Sequence, residues 1–174
     1  MKPLHFFRTP AILSAVLLFV VFQACKKDKA DQAFDRELLE MAKSETGFTW
    51  YKLSADNLPK SSGSGHPQPL LRTRYNAIAA EQLDADGKIV ENASFGTGSL
   101  IVKELKGSGG STERYAILYK QPSHEFADTK GWVWGYIDAD GKVAEPAANR
   151  GEGCISCHSQ QGSIDYMLMN KFYP

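Results

Sequence analysis

The sequence predicts a single α+β domain built on a mainly antiparallel sheet with a few peripheral helices. Three observations carry that prediction. Apolar residues recur at helical spacing early in the chain, and between about residues 99 and 137 the period changes to two. The strand-like segments are separated by turns rich in Gly and Asp, with no internal repeat and no second block of distinct composition.

The elements follow in order. Phe34, Leu38, Met41 and Ala42 lie one helical turn apart and predict an amphipathic helix over 32–44. Phe48 to Leu53 reads as a short aromatic strand. Residues 54–69 hold Pro59, Ser61-Ser62-Gly63-Ser64-Gly65, Pro67 and Pro69, the composition of a long loop. Leu71, Tyr75, Ile78, Ala79 and Leu83 predict a second helix, stopped by Asp84-Ala85-Asp86-Gly87. Leu100, Val102 and Glu104 then alternate with Ile101, Lys103 and Leu105. With the return strand Arg114–Lys120, this makes a hairpin with an enlarged glycine-rich loop. Trp132, Trp134 and Tyr136 alternate with Val133 and Gly135 in a further strand, ended by Asp138-Ala139-Asp140-Gly141. A short helix is expected from Cys157 onward.

The first residues look like an address rather than part of the fold. Lys2 and Arg8 precede an apolar run, Ala11 to Phe22, which is too short to span a bilayer and suits a signal peptide. The run meets Gln23-Ala24-Cys25, the end of a lipoprotein signal. Residues 1–24 are therefore expected to be removed, Cys25 to be lipidated, 25–31 to act as a tether and 32–174 to form the domain. Two of the 20 basic residues leave with the signal, and nothing in the slight acidic excess that remains suggests nucleic acid or a strongly charged partner.

Cys154-Ile155-Ser156-Cys157-His158 is the most specific motif in the chain. C-x-x-C-H is the attachment signature of c-type haem, with two thioether cysteines and an adjacent histidine on the iron. With Cys25 lipidated, no thiol is left outside the motif. A thioredoxin-like redox pair would sit in alternating strands and helices, whereas this pair follows Pro146, Gly151 and Gly153. A zinc site would need a second ligand cluster, and His66 and His124 stand alone. A plain disulfide would leave His158 unexplained.

The motif lies only 16 residues before the end of the chain. Helical electron carriers place it early and supply a distant methionine. Met167 and Met169 follow His158 too closely for that and read as apolar anchors. A four-helix bundle is excluded by the strand period over 95–140.

Phe95-Gly96-Thr97-Gly98-Ser99-Leu100-Ile101-Val102-Lys103-Glu104, the Tyr115–Lys120 strand, Gly131-Trp132-Val133-Trp134, Asp140-Gly141-Lys142-Val143, Gly153–His158 and Asp165-Tyr166 occur in an order that resembles the cytochrome P-460 family. The resemblance covers about 48–170. It implies the fold of the β-sheet cytochromes called c′-beta, homodimers with an open distal haem face. Some members carry a lysine linked to the porphyrin and oxidise hydroxylamine or nitric oxide; others bind small gases.

Carried onto this chain, the resemblance implies one covalent haem c held by Cys154 and Cys157, with His158 as proximal ligand. Lys103 is the first candidate for a cross-link and Lys120 the second. Glu104 and Glu125 are the nearest carboxylates for substrate protons, but alternation points Glu104 away from Lys103. Trp132 and Trp134 share a strand face suited to the core or the haem plane, and Phe95 would pack on the distal side. His124 and His66 are weaker distal candidates, and Arg72, Arg74 and Arg150 are candidates for the propionates.

The expected protein is an exported, membrane-anchored cytochrome in the periplasm or on an outer face. It would bind or oxidise a small nitrogen species at an open or weakly held sixth position, with a redox partner protein. The alternatives are an electron carrier with six-coordinate haem and a haem-free thiol oxidoreductase using Cys154 and Cys157.

Overall fold

A computed structural model describes residues 31–44 and 46–174. The expected signal, Cys25 as the expected lipidation site and most of the expected tether lie outside the described residues. A helix, α1, covers 31–43. Seven strands follow: β1 (Phe48–Trp50), β2 (Leu58–Pro59), β3 (Leu70–Asn76), β4 (Leu100–Lys106), β5 (Thr112–Lys120), β6 (Trp132–Asp138) and β7 (Val143–Glu145). They form one antiparallel sheet in the order β1-β3-β4-β5-β6-β7, with β2 paired to the opposite end of β3 from β1. Three short helices complete the fold: α2 (Ala77–Ala80), α3 (Glu152–His158) and α4 (Met169–Phe172). None of the described helices is long and apolar enough to cross a membrane.

Strand alternation divides the sheet into two buried faces. Val102, Ile117, Val133 and Ile137 point to one side and pack against Leu38, Leu39 and Ala42 of α1. The Asp35 carboxylate of α1 accepts a hydrogen bond from the Ala147 backbone N–H at 2.9 Å, tying the helix to the chain after β7. Ile101, Leu105, Leu118, Trp132 and Trp134 point to the other side, where Tyr166, Met167 and Met169 cover them. The central strands are thus apolar on both faces. The hairpin β4–β5 turns through Gly107–Ser111, with Gly107 N–H bonded to the Ser111 carbonyl at 3.0 Å, as its glycines predict.

The helix expected over 71–83 is instead the strand β3 followed by the single turn α2. Leu71 and Tyr75 satisfy a helical spacing, but with Thr73 they also satisfy a period of two. All three are buried on one face, while Arg72 and Arg74 reach the other. The strand wins because β4 pairs along its length, from Leu70↔Lys106 to Tyr75↔Ile101. Asn76 then caps α2 by accepting from the Ala79 N–H at 3.0 Å. The first aromatic strand is also shorter than expected: it ends at Trp50, and a 3-10 turn covers Tyr51–Leu53.

Candidate haem site

A cavity of about 540 Å³ opens on the sheet face away from α1. This is within the range of cofactor pockets, roughly 300–1,000 Å³. The sheet supplies Ile101 and Lys103 from β4, Arg114, Ala116 and Leu118 from β5, and Trp134 and Tyr136 from β6. The opposite wall is α3 with Cys154, Cys157 and His158, joined by Met167, Leu168 and Met169. His66 enters from the long loop before β3.

Local geometry explains how the C-x-x-C-H run reaches this wall. Gly151, just before α3, has φ of 75°, and a side chain there would bring its Cβ within 2.6 Å of the Trp134 ring. Glycine lets the helix start against the indole. Over the next turn Cys154 and His158 stand four residues apart on one helix face, and Cys157 lies beside them. Both thiols are free. Burial, then Glu145 and Cys157, push the Cys154 thiol up to about 11. A redox pair needs a lowered thiol, so this environment opposes the thiol-oxidoreductase alternative.

The His158 ring is fixed from two sides. Its Nδ1 lies 2.8 Å from the Tyr166 carbonyl oxygen, and its ring meets Trp134 edge to face at a centroid distance of 5.3 Å. Burial and the Lys103 charge lower its pKa to about 4, against the opposing effect of the Tyr166 bond. The neutral ring donates Nδ1–H to the carbonyl and keeps its lone pair on Nε2, the arrangement of a metal-binding imidazole.

The Tyr166 carbonyl is itself held in place. Asp165 and Tyr166 both have positive φ, 43° and 72°. The Asp165 carboxylate accepts from Trp132 Nε1 at 3.0 Å and from the Phe95 N–H at 3.2 Å, and it pairs with Lys120 Nζ at 3.2 Å. One carboxylate therefore anchors the segment after the motif to the sheet.

The remaining residues singled out in the sequence now have places. Lys103 lines the cavity, and burial alone lowers its pKa to about 8. Lys120 is on the same face but is committed to Asp165 and lies over the Trp132 ring, outside the cavity lining. Trp132 and Phe95 are core residues in edge contact at 5.7 Å, so Phe95 does not form the cavity wall.

Several candidates fall elsewhere. Glu104 is on the α1 face, as alternation predicts, and Glu125 is exposed. His124 stacks on Phe34 of α1 at 4.0 Å, which corrects its reading as a distal ligand. Arg72 and Arg74 pair with Glu104 on the α1 face and Arg150 is exposed, so none of the three lines the cavity. The arginine that does is Arg114, in a salt bridge with Asp138 and over the Tyr136 ring. Its place was readable from its alternation with Ala116 and Leu118.

His66 has no such signal, because periodicity says nothing about a loop. Its Nδ1 lies 3.2 Å from Tyr136 Oη, and its ring centre is 6.4 Å from that of His158. Burial, with Lys103 and His158 adding to it, lowers its pKa to about 3.

The family model for cytochrome P460 matches residues 49–169. The chain belongs to the cytochrome P460 family. Neither the curated proteins nor the solved structures gave a match. Family membership implies a haem cofactor, and the cavity described above fits one. It combines a pocket of suitable size, a histidine with its tautomer set for a metal, two free thiols and a flanking arginine.

Proposed function

We propose that this cytochrome P460 protein carries one haem c, which Cys154 and Cys157 would hold through thioethers and His158 Nε2 would hold at the iron. The observation that carries the reading is the convergence of both thiols and the Nδ1-anchored His158 on one cavity wall. When bound, the haem would supply a redox-active iron able to take a small ligand. The chain's part is to orient His158 through Tyr166, to exclude bulk water with Ile101, Leu118 and Trp134, and to hold cationic groups at the pocket. Arg114 suits a haem propionate through charge-assisted hydrogen bonding.

The substrate or ligand we propose is a small nitrogen species, nitric oxide or hydroxylamine. Nitric oxide, compact and weakly polar, suits the Ile101, Ala116 and Leu118 part of the sheet wall, and the polar hydroxylamine suits the side that carries Lys103 and Tyr136. Lys103 is the residue to hold or move a proton beside the ligand, since burial lowers its amine to about 8. Lys103 is also our candidate for a covalent link to the porphyrin. Intact mass and the ferrous spectrum would lose any cross-link signature in Lys103→Ala, and loss in Lys120→Ala alone would reverse the assignment. We place the protein outside the cytoplasm, anchored through a lipidated Cys25, acting as a homodimer with a redox partner.

Optical spectra of the haem-loaded protein, with and without nitric oxide, test the reading. A c-type spectrum that changes on adding nitric oxide is expected. A c-type spectrum indifferent to the ligand would favour the electron-carrier alternative, which draws its support from the position of His66.

A further inference from the structure

We propose that His66 is a second axial ligand, binding the haem iron on the face opposite His158, so that a small ligand reaches the iron only by displacing it. The proposal rests on the haem reading above and deepens it. Three observations on His66 and its loop carry it.

The first is the separation of the two rings. Metal–imidazole bonds are about 2.0–2.1 Å. With ~1.1 Å from each nitrogen to its ring centre, two imidazoles on opposite sides of one metal have centres roughly 6.3 Å apart. The His66 and His158 centres are 6.4 Å apart, with the planes at 68°. The separation matches a shared metal, and it also falls within the range of about 4.5–7 Å for ordinary edge-to-face ring pairs, so the anchoring of the two rings has to decide between them.

The second is that each ring is anchored by the same atom. His158 Nδ1 is on the Tyr166 carbonyl and His66 Nδ1 is on Tyr136 Oη. The Tyr166 carbonyl can only accept, so His158 donates Nδ1–H and keeps its Nε2 lone pair; His66 does the same in the tautomer that donates Nδ1–H to Tyr136 Oη, the tautomer this proposal requires. The anchors come from separate parts of the fold, β6 for His66 and the segment after the motif for His158.

The third is that the loop carrying His66 is fastened down. Lys60 N–H bonds to the Pro69 carbonyl at 2.8 Å, closing the loop at its base. Ser61 N–H donates to Tyr173 Oη at 3.1 Å. Gly63 lies so close to Phe172 that a Cβ there would stand 2.5 Å from the ring. The C-terminal helix that follows the haem motif thus holds the loop that presents His66, and the two histidines are structurally linked.

The test is the spin state of the haem-loaded protein, read by electron paramagnetic resonance and optical spectroscopy. Wild-type ferric protein is expected to be low-spin. His66→Ala should lose the low-spin signal and become high-spin, and added imidazole should restore it. Nitric oxide should bind His66→Ala faster than wild type.

A high-spin wild-type spectrum overturns the proposal without any variant, so a folding defect in His66→Ala cannot shield it. A low-spin spectrum unchanged in His66→Ala overturns it as well. Failure of the protein to take up haem would instead defeat the haem reading, and this proposal with it.

Discussion

Lys103 and Glu104 are neighbours in β4, yet they occupy opposite electrostatic environments, and the contrast separates the two faces of the sheet. Glu104 points to the α1 side and meets Arg72 at 2.6 Å, Arg74 at 3.1 Å and Lys106 at 3.3 Å, with Thr112 Oγ1 at 3.1 Å. Burial would raise its pKa, but the Arg72 hydrogen bond and the surrounding cations hold it below the usual carboxylate range. Lys103 points to the cavity, pairs with no carboxylate among the described residues, and burial lowers it to about 8. One face neutralises its buried charge and is built for stability. The other leaves the Lys103 amine without a carboxylate partner among the described residues beside a cavity, the kind of setting in which functional groups cluster.

The largest effect should come from unbalancing the stable face. Glu104→Ala would leave Arg74, 1% exposed, beside Arg72 and Lys106 with their shared carboxylate gone. A loss of about 3–5 kcal/mol is expected in urea unfolding, with the haem spectrum of the folded fraction unchanged. A loss below about 1 kcal/mol would place the network among weak surface pairs.

Asp165→Ala probes where the two functions meet. It strands the Trp132 indole N–H and should cost about 1–3 kcal/mol. It should also shift the reduction potential, because the Tyr166 carbonyl that orients His158 loses its anchor. Lost stability with an unchanged potential would make Asp165 structural only.

A smaller effect concerns Lys103. Its folded pKa, about 8, lies below its ordinary 10.5, so between those values the unfolded chain binds more protons. Stability should therefore climb as pH rises from about 8 to about 10.5, and Lys103→Met should flatten that climb. An unaltered slope would mean the amine is not desolvated. The smallest effect is expected for His124→Ala. It removes a stack on Phe34 worth about 1 kcal/mol on the α1 side, and should leave the haem spectrum unchanged.

The same contrast explains what was legible in the sequence. Alternation in β4, β5 and β6 predicts both the sheet and the opposed directions of Lys103 and Glu104, because period two follows directly from strand geometry. The C-x-x-C-H run is legible because attachment chemistry dictates its spacing. β3 is ambiguous in the sequence, since Leu71 and Tyr75 fit two periods and only pairing with β4 decides between them. The same pairing turns Arg72 and Arg74 toward Glu104 and away from the cavity. His66 carries no sequence signal because a proline- and glycine-rich loop has no period, and its position depends on contacts of the loop with Tyr136, Tyr173 and Phe172, all 70 or more residues further along the chain. Asp165 stands out in the sequence only as part of a family block; its three partners are assembled by the fold.

The most direct test of the cavity face is a pyridine haemochrome assay on the protein exported through a haem-attachment pathway, beside its Cys154→Ala/Cys157→Ala variant. One haem c per chain, resistant to acid–acetone extraction and absent from the variant, is the predicted result. Wild-type protein without a c-type spectrum, or with haem that extracts freely, would contradict it.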